Sequence, residues 1–159
     1  MSIDIVDDEA SLRELYKAFI ENSGFNVDCY ASAEDYIAYT KSENYTPPNI
    51  ALITDVRMPG KTGYELIDEI KKINPEQKFV VITGTPQDGY SKDARACFYL
   101  EKPVSLKRLL AVIELLSSCS IAENPSMSPK CKLLNDLDSF DMHDWECPKK
   151  QLNIKQNRI

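Results

Sequence analysis

The sequence has no long hydrophobic run, and its first residues do not show the pattern expected of a secretory leader. None of its apolar stretches approaches the roughly 20 residues that a membrane-spanning helix requires. The N-terminus also lacks the basic and apolar regions of a signal peptide. These absences argue against a membrane-spanning or secreted protein, and we expect a cytoplasmic one.

Disulfide frameworks and basic surfaces are missing as well. The five cysteines are odd in number and their spacing matches no common framework, so we expect free thiols. The net charge is −6, and residues 1–118 account for all of it, with 13 Lys and Arg against 19 Asp and Glu. Residues 119–159 carry 6 basic and 6 acidic side chains. The acidic first part argues against direct DNA binding.

What is present is an alternation of apolar runs with segments of helical period. Such alternation is typical of βαβ units, and right-handed crossovers between them build a parallel sheet covered by helices on both faces. We therefore predict an α/β fold with a doubly wound, five-stranded parallel sheet. The predicted strands cover residues 3–6, 25–30, 50–54, 78–82 and 97–100, and the predicted helices lie around 12–20, 32–39, 66–73 and 106–116.

Two regions depart from this regular alternation. Between the fourth and fifth strands, Gly84, Pro86 and Gly89 leave room for only a short or irregular helix. After the last predicted helix, a stretch rich in serine and proline indicates a linker. We expect one domain over residues 1–118, followed by a linker and tail over 119–159. The tail shows no recognisable output domain and should be disordered or docked.

The tail contains four side chains that could bind zinc, namely Cys119, Cys131, His143 and Cys147. Structural zinc sites usually show close pairs of ligands at both ends, and this spacing does not. Zinc is therefore the less favoured interpretation. A disordered tail is favoured instead, in which one helix around residues 133–145 could bind a partner.

Charged and hydroxylated residues follow the predicted strands. Asp7 and Asp8 follow the first strand, Asp55 the third, Thr83 the fourth and Lys102 the fifth. Taken singly, each has an ordinary explanation as a helix cap, a turn residue or a solvated lysine. Together they should meet at one edge of a parallel sheet, where open α/β folds place their sites. Carboxylates brought together need a cation, and Mg²⁺ is the natural candidate.

These residues lie in four stretches that resemble the receiver domain of two-component response regulators, a bacterial signalling family. The stretches are Ile5-Val6-Asp7-Asp8-Glu9, Thr54-Asp55-Val56-Arg57-Met58-Pro59-Gly60, Val81-Ile82-Thr83-Gly84 and Tyr99-Leu100-Glu101-Lys102-Pro103. The likeness covers roughly residues 1–118 and is greatest to the receivers of transcriptional regulators. It implies the CheY-like, flavodoxin-like receiver fold, with strand order 2-1-3-4-5.

The resemblance implies an acceptor and a metal site. Asp55 would be the phosphoacceptor, taking a phosphoryl group from a phosphohistidine. Asp8, Asp55 and the backbone carbonyl of Arg57 would bind Mg²⁺ directly, and Asp7 would bind it through water.

The resemblance also implies a phosphoryl-binding lysine and a switch. Lys102 would hold the phosphoryl oxygens, and its peptide bond to Pro103 would be cis. Thr83 would turn inward to hydrogen-bond the phosphoryl group, and Tyr99 would follow it inward. The irregular segment before Lys102 is a departure from the family, whose fourth helix is normally part of the output face.

The implied partner is a sensor histidine kinase or a phosphotransfer protein. The sequence does not name the downstream partner, and the chain could form a homodimer. We expect no enzyme activity beyond self-phosphorylation and self-dephosphorylation at Asp55. Two alternatives remain at this point. One is a receiver-fold scaffold that takes no phosphate. The other is a phosphoaspartate-forming phosphatase of the haloacid dehalogenase type, which requires a second acid where this chain has Arg57.

Overall fold

The computed structural model describes residues 1–84 and 96–121, with side chains through residue 118. Within these ranges lie five strands and four helices. The strands are β1 (Ser2–Val6), β2 (Asn26–Tyr30), β3 (Ala51–Asp55), β4 (Phe79–Thr83) and β5 (Phe98–Glu101). The helices are α1 (Ala10–Asn22), α2 (Ala33–Thr40), α3 (Gly63–Ile73) and α4 (Leu106–Ile121).

All five strands are parallel and lie in the order β2-β1-β3-β4-β5, as predicted. The three central strands are buried almost throughout, which is typical of a parallel sheet covered on both faces. This confirms the predicted fold class and strand order.

Two hydrophobic clusters lie on opposite faces of the sheet. One joins the sheet to α1 and α4 through residues such as Tyr16, Ile20 and Leu109. The other joins it to α2 and α3 through residues such as Tyr36 and Leu66. The molecule is therefore a three-layer sandwich in which the carboxyl ends of all strands point to one edge.

The structure shifts the carboxyl ends of three strands by one residue from the prediction. Asp55, Thr83 and Glu101 are the last residues of their strands rather than the first residues after them. The reason is pairing between neighbours, because Asp55 pairs with Ile82, and Thr83 with Glu101. The site residues are thus held by the sheet itself.

The helices follow local signals that the sequence carries. Ser32 caps α2 as predicted, since its hydroxyl accepts the Asp35 N–H at 3.1 Å. The last helix continues past its predicted end at Leu116 to Ile121. Ser118 is tolerated there because its hydroxyl donates to the carbonyl of Glu114.

Some predictions concern parts of the chain outside the described ranges. The irregular helix was predicted between β4 and β5, and residues 85–95 are not among those described. The same holds for the tail from residue 122 onward and so for three of the four candidate zinc ligands, while of Cys119 only the backbone is described. Among the described helices, none is long and apolar enough to cross a membrane.

Candidate functional site

Three carboxylates meet at the carboxyl edge of the sheet. Asp55 ends β3, and Asp7 and Asp8 follow β1, its neighbour in the sheet. One carboxylate oxygen from each lies within 4.8 Å of the others. Asp7 and Asp55 are buried, at 2% and 7% exposure, whereas Asp8 is exposed. The sheet therefore brings together three like charges that were predicted to meet.

Lys102 faces this cluster from the end of β5. Its Nζ donates to Oδ2 of Asp55 at 2.9 Å and lies 3.7 Å from Oδ2 of Asp7. Burial favours the neutral amine, but the two carboxylates outweigh it and raise the pKa of Lys102. Lys102 therefore carries its ammonium charge at neutral pH and contacts the carboxylate of Asp55.

The pKa of Asp7 is raised, chiefly by burial. The N–H of Glu9, which donates to Asp7 at 2.9 Å, and the charge of Lys102 oppose the shift, while Asp55 and Asp8 add to it. One ammonium group stands against three carboxylates, so the cluster keeps a net negative charge when all three are ionised. This donor set of hard carboxylate oxygens fits Mg²⁺ well.

The turn after β3 fixes the position of Asp55. The hydroxyl of Thr54 donates to the Asp55 carbonyl at 2.9 Å, and the N–H of Gly63 donates to the Val56 carbonyl at 2.9 Å. At Gly63 a Cβ atom would lie 2.1 Å from the Asp55 carbonyl oxygen. Only glycine allows so close an approach of helix α3 to the end of β3. Arg57 lies in this turn, exposed to solvent.

The remaining residues that the resemblance singles out lie on β4, β5 and the loop after β5. Thr83 is buried, and its carbonyl accepts the Lys102 N–H at 2.8 Å. Tyr99 is fully buried in the cluster beneath α2 and α3, so its side chain faces inward. The peptide bond between Lys102 and Pro103 is cis.

A family model described as "Response regulator receiver domain" matches residues 3–114. This range contains every residue of the site described above. The chain belongs to the response regulator receiver family.

Relatives of this receiver include several transcriptional regulators. It is 30% identical over 124 residues to the transcriptional regulatory protein FixJ of Rhizobium meliloti, an alignment that covers 76% of this chain and 59% of FixJ. It is 28% identical over 127 residues to CssR of Bacillus subtilis, covering 78% of this chain and 54% of CssR. The chain thus spans about half the length of these curated relatives.

Solved structures show the same fold. A CheY-like receiver domain from Methanospirillum hungatei JF-1 is 27% identical, with a TM-score of 0.68 over 77% of this chain and 98% of that one. The response regulator TrrA from Thermotoga maritima, solved in complex with Mg(2+)-BeF, is 29% identical. Its TM-score is 0.61 over 72% of this chain and 97% of TrrA.

Two further contacts lie beside the site, and no motif in the sequence predicted them. A guanidinium nitrogen of Arg13, on α1, donates to the backbone carbonyl of Asp7 at 2.5 Å. Glu34, on α2, accepts the backbone N–H of Lys61 at 2.6 Å. The first contact joins residues 6 apart, so their closeness in sequence could have indicated it. The second joins residues 27 apart, and no local pattern indicates it.

Proposed function

We propose that this receiver takes a phosphoryl group on Asp55 from a phosphohistidine of a sensor kinase or phosphotransfer protein, with Mg²⁺ bound, and then changes what it binds. The single observation that carries the proposal is the Asp55 carboxylate. It lies at the strand end, 2.9 Å from Lys102 Nζ and within 4.8 Å of two further carboxylates. Phosphoryl transfer uses a group of this kind, because a lysine and a metal ion held by carboxylates neutralise the negative charge of the transferred phosphoryl group.

The residues that would hold Mg²⁺ are Asp8, Asp55 and the carbonyl of Arg57, with Asp7 acting through water. When bound, Mg²⁺ would supply positive charge to the carboxylates and to the incoming phosphoryl oxygens. TrrA, solved with Mg(2+)-BeF, supports this assignment by its likeness to the present chain.

In the proposed transfer, a carboxylate oxygen of Asp55 forms a bond to phosphorus while the phosphorus–nitrogen bond of the phosphohistidine breaks. The departing imidazole nitrogen keeps that bond's electron pair and takes up a proton from water. Lys102 moves from its ion pair with Asp55 to the phosphoryl oxygens, because the Asp55 carboxyl loses its charge when it becomes an acyl phosphate and the phosphoryl oxygens remain charged. Catalysis by this chain is then mainly positioning and electrostatic stabilisation.

The output of the reaction would be a change in conformation. Thr83 would hydrogen-bond the phosphoryl group and Tyr99 would move with it, altering the surface that a downstream partner recognises. We propose no enzyme activity beyond phosphorylation and dephosphorylation of Asp55 itself. A cytoplasmic location belongs to the same proposal.

The test is to incubate the full chain with acetyl phosphate and Mg²⁺ and to measure its intact mass. We expect the mass of one phosphoryl group to be added, the label to be stable in acid and lost in base, and EDTA to prevent labelling. A chain that gains no phosphoryl group with Mg²⁺ would instead support the scaffold alternative.

A further inference from the structure

The turn between β3 and α3 contacts a helix that takes no part in the chemistry proposed above. Residues 56–62 of this turn follow the acceptor Asp55 and include Arg57, whose carbonyl is a proposed metal ligand. The Lys61 N–H donates to Oε1 of Glu34 at 2.6 Å. Glu34 lies in the first turn of α2 and is exposed. A surface side chain thus connects α2 to the turn that follows the acceptor.

Gly60 provides the space for this contact. Its φ is +81°, a conformation that side-chain-bearing residues rarely adopt. A Cβ atom built on Gly60 would lie 2.4 Å from Oε1 of Glu34. The glycine therefore serves the turn in two ways, by its backbone conformation and by leaving room for the carboxylate that reaches Lys61.

The carboxylate is ionised in this contact. The N–H of Lys61 is the main cause that lowers the pKa of Glu34, so the side chain carries its full charge at neutral pH. Hydrogen bonds from a backbone N–H to a carboxylate are among the stronger ones in proteins. Acidic residues also favour helix N-termini without any such bond. That general preference does not account for a 2.6 Å hydrogen bond between a residue of α2 and the turn between β3 and α3.

We propose that Glu34 is a positioning residue that holds the turn after Asp55 in the conformation that Mg²⁺ binding and phosphorylation require. This inference rests on the proposed function of Asp55. The bond between the Gly63 N–H and the Val56 carbonyl joins the two ends of the turn. Glu34 adds a second restraint at Lys61, inside the turn. The Arg57 carbonyl lies between these points, so the turn has fewer conformations to lose when the metal binds.

The first experiment measures the contact directly in the metal-free full chain. In Glu34→Ala the hydrogen exchange of the Lys61 amide, followed by NMR, should become about fivefold faster, because a hydrogen bond of ordinary net strength is lost. Glu34→Gln keeps an acceptor oxygen and should restore part of the protection. An unchanged exchange rate in Glu34→Ala would show that the contact does not hold the turn.

The second experiment measures its consequence. Phosphorylation by acetyl phosphate is followed as a function of Mg²⁺ concentration. In Glu34→Ala the Mg²⁺ concentration at half-maximal rate should rise about fivefold, while the rate at saturating Mg²⁺ stays that of the wild type. The matched control is Asp35→Ala, which removes an exposed charge from the same helical turn and should leave the half-maximal concentration unchanged.

The outcomes separate this inference from the proposed function. If the wild type is phosphorylated and Glu34→Ala shows the wild-type Mg²⁺ dependence, the positioning role is wrong and the function of Asp55 stands. An equal change in Asp35→Ala would also overturn it, since loss of charge would then suffice. If the wild type takes no phosphoryl group at any Mg²⁺ concentration, the proposed function fails, and the positioning role fails with it.

Discussion

At the scale of single residues, Asp4 is a carboxylic acid buried in the middle of β1. Its Oδ2 accepts a hydrogen bond from the Tyr36 hydroxyl at 2.7 Å. Burial raises its pKa to about 6, the hydrogen bond from Tyr36 opposes the rise, and Asp28 on the neighbouring strand adds to it. The fold therefore accommodates this carboxyl more easily when it is protonated.

The raised pKa predicts how stability depends on pH. The ordinary pKa of the group is 3.8, so between about pH 4 and 6 the folded protein retains a proton that the unfolded chain loses. The contribution of Asp4 to the free energy of unfolding is full below about pH 4 and is lost as the pH rises through about 6. Asp4→Asn should remove this loss and be more stable than the wild type at pH 7 by about 1–3 kcal/mol.

Urea unfolding of both proteins between pH 4 and pH 7 measures the effect. Asp28→Asn removes only the neighbouring charge that adds to the raised pKa, so it should lessen this loss of stability without abolishing it. If the free energies of unfolding of wild type and Asp4→Asn change in parallel over the whole range, Asp4 does not carry the raised pKa.

Asp8 shows how repulsion between the three carboxylates should affect the stability of the protein. It is the exposed member of the three carboxylates, and its charge is close to the other two. Asp8→Ala should raise the free energy of unfolding in EDTA by about 0.5–1 kcal/mol, because like charges then repel less. The same variant should lose the stabilisation that Mg²⁺ gives the wild type. A variant that is clearly less stable than the wild type in EDTA would contradict the account of a crowded acidic cluster.

At the scale of elements, the junction of β3 and α3 depends on Gly63. A Cβ atom there would meet the Asp55 carbonyl oxygen at 2.1 Å, and that atom belongs to the backbone and cannot swing aside. Gly63→Ala should therefore lower the free energy of unfolding by about 2–4 kcal/mol and slow phosphorylation of Asp55. Urea unfolding and the acetyl phosphate assay measure these effects.

The matched control is Gly24→Ala, where a Cβ atom would meet nothing within 4 Å. Its φ of +97° still imposes backbone strain, so a moderate loss of stability is expected, but the rate of phosphorylation should not change. A Gly63→Ala protein that is phosphorylated at the wild-type rate would contradict the close approach of α3 to Asp55.

The elements also show why the sequence could predict some features and not others. Apolar runs and helical periods located every described strand and helix, since burial on both faces of a parallel sheet leaves a strong pattern. The ends of β3, β4 and β5 were misplaced by one residue because they depend on pairing with neighbouring strands. In α1, Leu15 lies at helical spacing from the other apolar residues, which predicts burial. It is nevertheless 48% exposed, because the sheet covers only the face with Tyr16 and Ile20.

Within the site, Asp7, Asp8, Asp55 and Lys102 lie together because parallel strands end at one edge of the sheet, and the sequence predicts this arrangement. The hydrogen-bond partners of individual side chains could not be predicted in the same way. Tyr36 lies 32 residues from Asp4, and Lys61 lies 27 residues from Glu34. Such pairs depend on how α2 packs against the sheet and the loops, and neither propensity nor periodicity encodes that.

At the scale of the whole molecule, the family match ends at residue 114 and α4 at Ile121. The helix belongs to the core, since Leu109, Val112 and Ile113 are fully buried against the sheet. The sequence after it carries no net charge, contains Pro125 and Pro129, and has little apolar surface to repay its ordering. We therefore expect a chain that ends after Ile121 to fold and to be phosphorylated like the full chain.

Circular dichroism, urea unfolding and the acetyl phosphate assay test this truncation. A chain that ends before α4 is the control, and it should not fold because one core cluster then lacks Leu109, Val112, Ile113 and Leu116. Loss of folding or of phosphorylation on removal of residues 122–159 would show that the predicted domain boundary near residue 118 is mistaken.

Intact-mass measurement of site variants decides whether Asp55 is the sole phosphoacceptor of this receiver. Wild type, Asp55→Asn and the exposed-aspartate control Asp28→Asn are each incubated with acetyl phosphate and Mg²⁺. We predict that wild type and Asp28→Asn each gain one phosphoryl group and that Asp55→Asn gains none. An Asp55→Asn protein that gains a phosphoryl group at the wild-type rate would contradict this prediction.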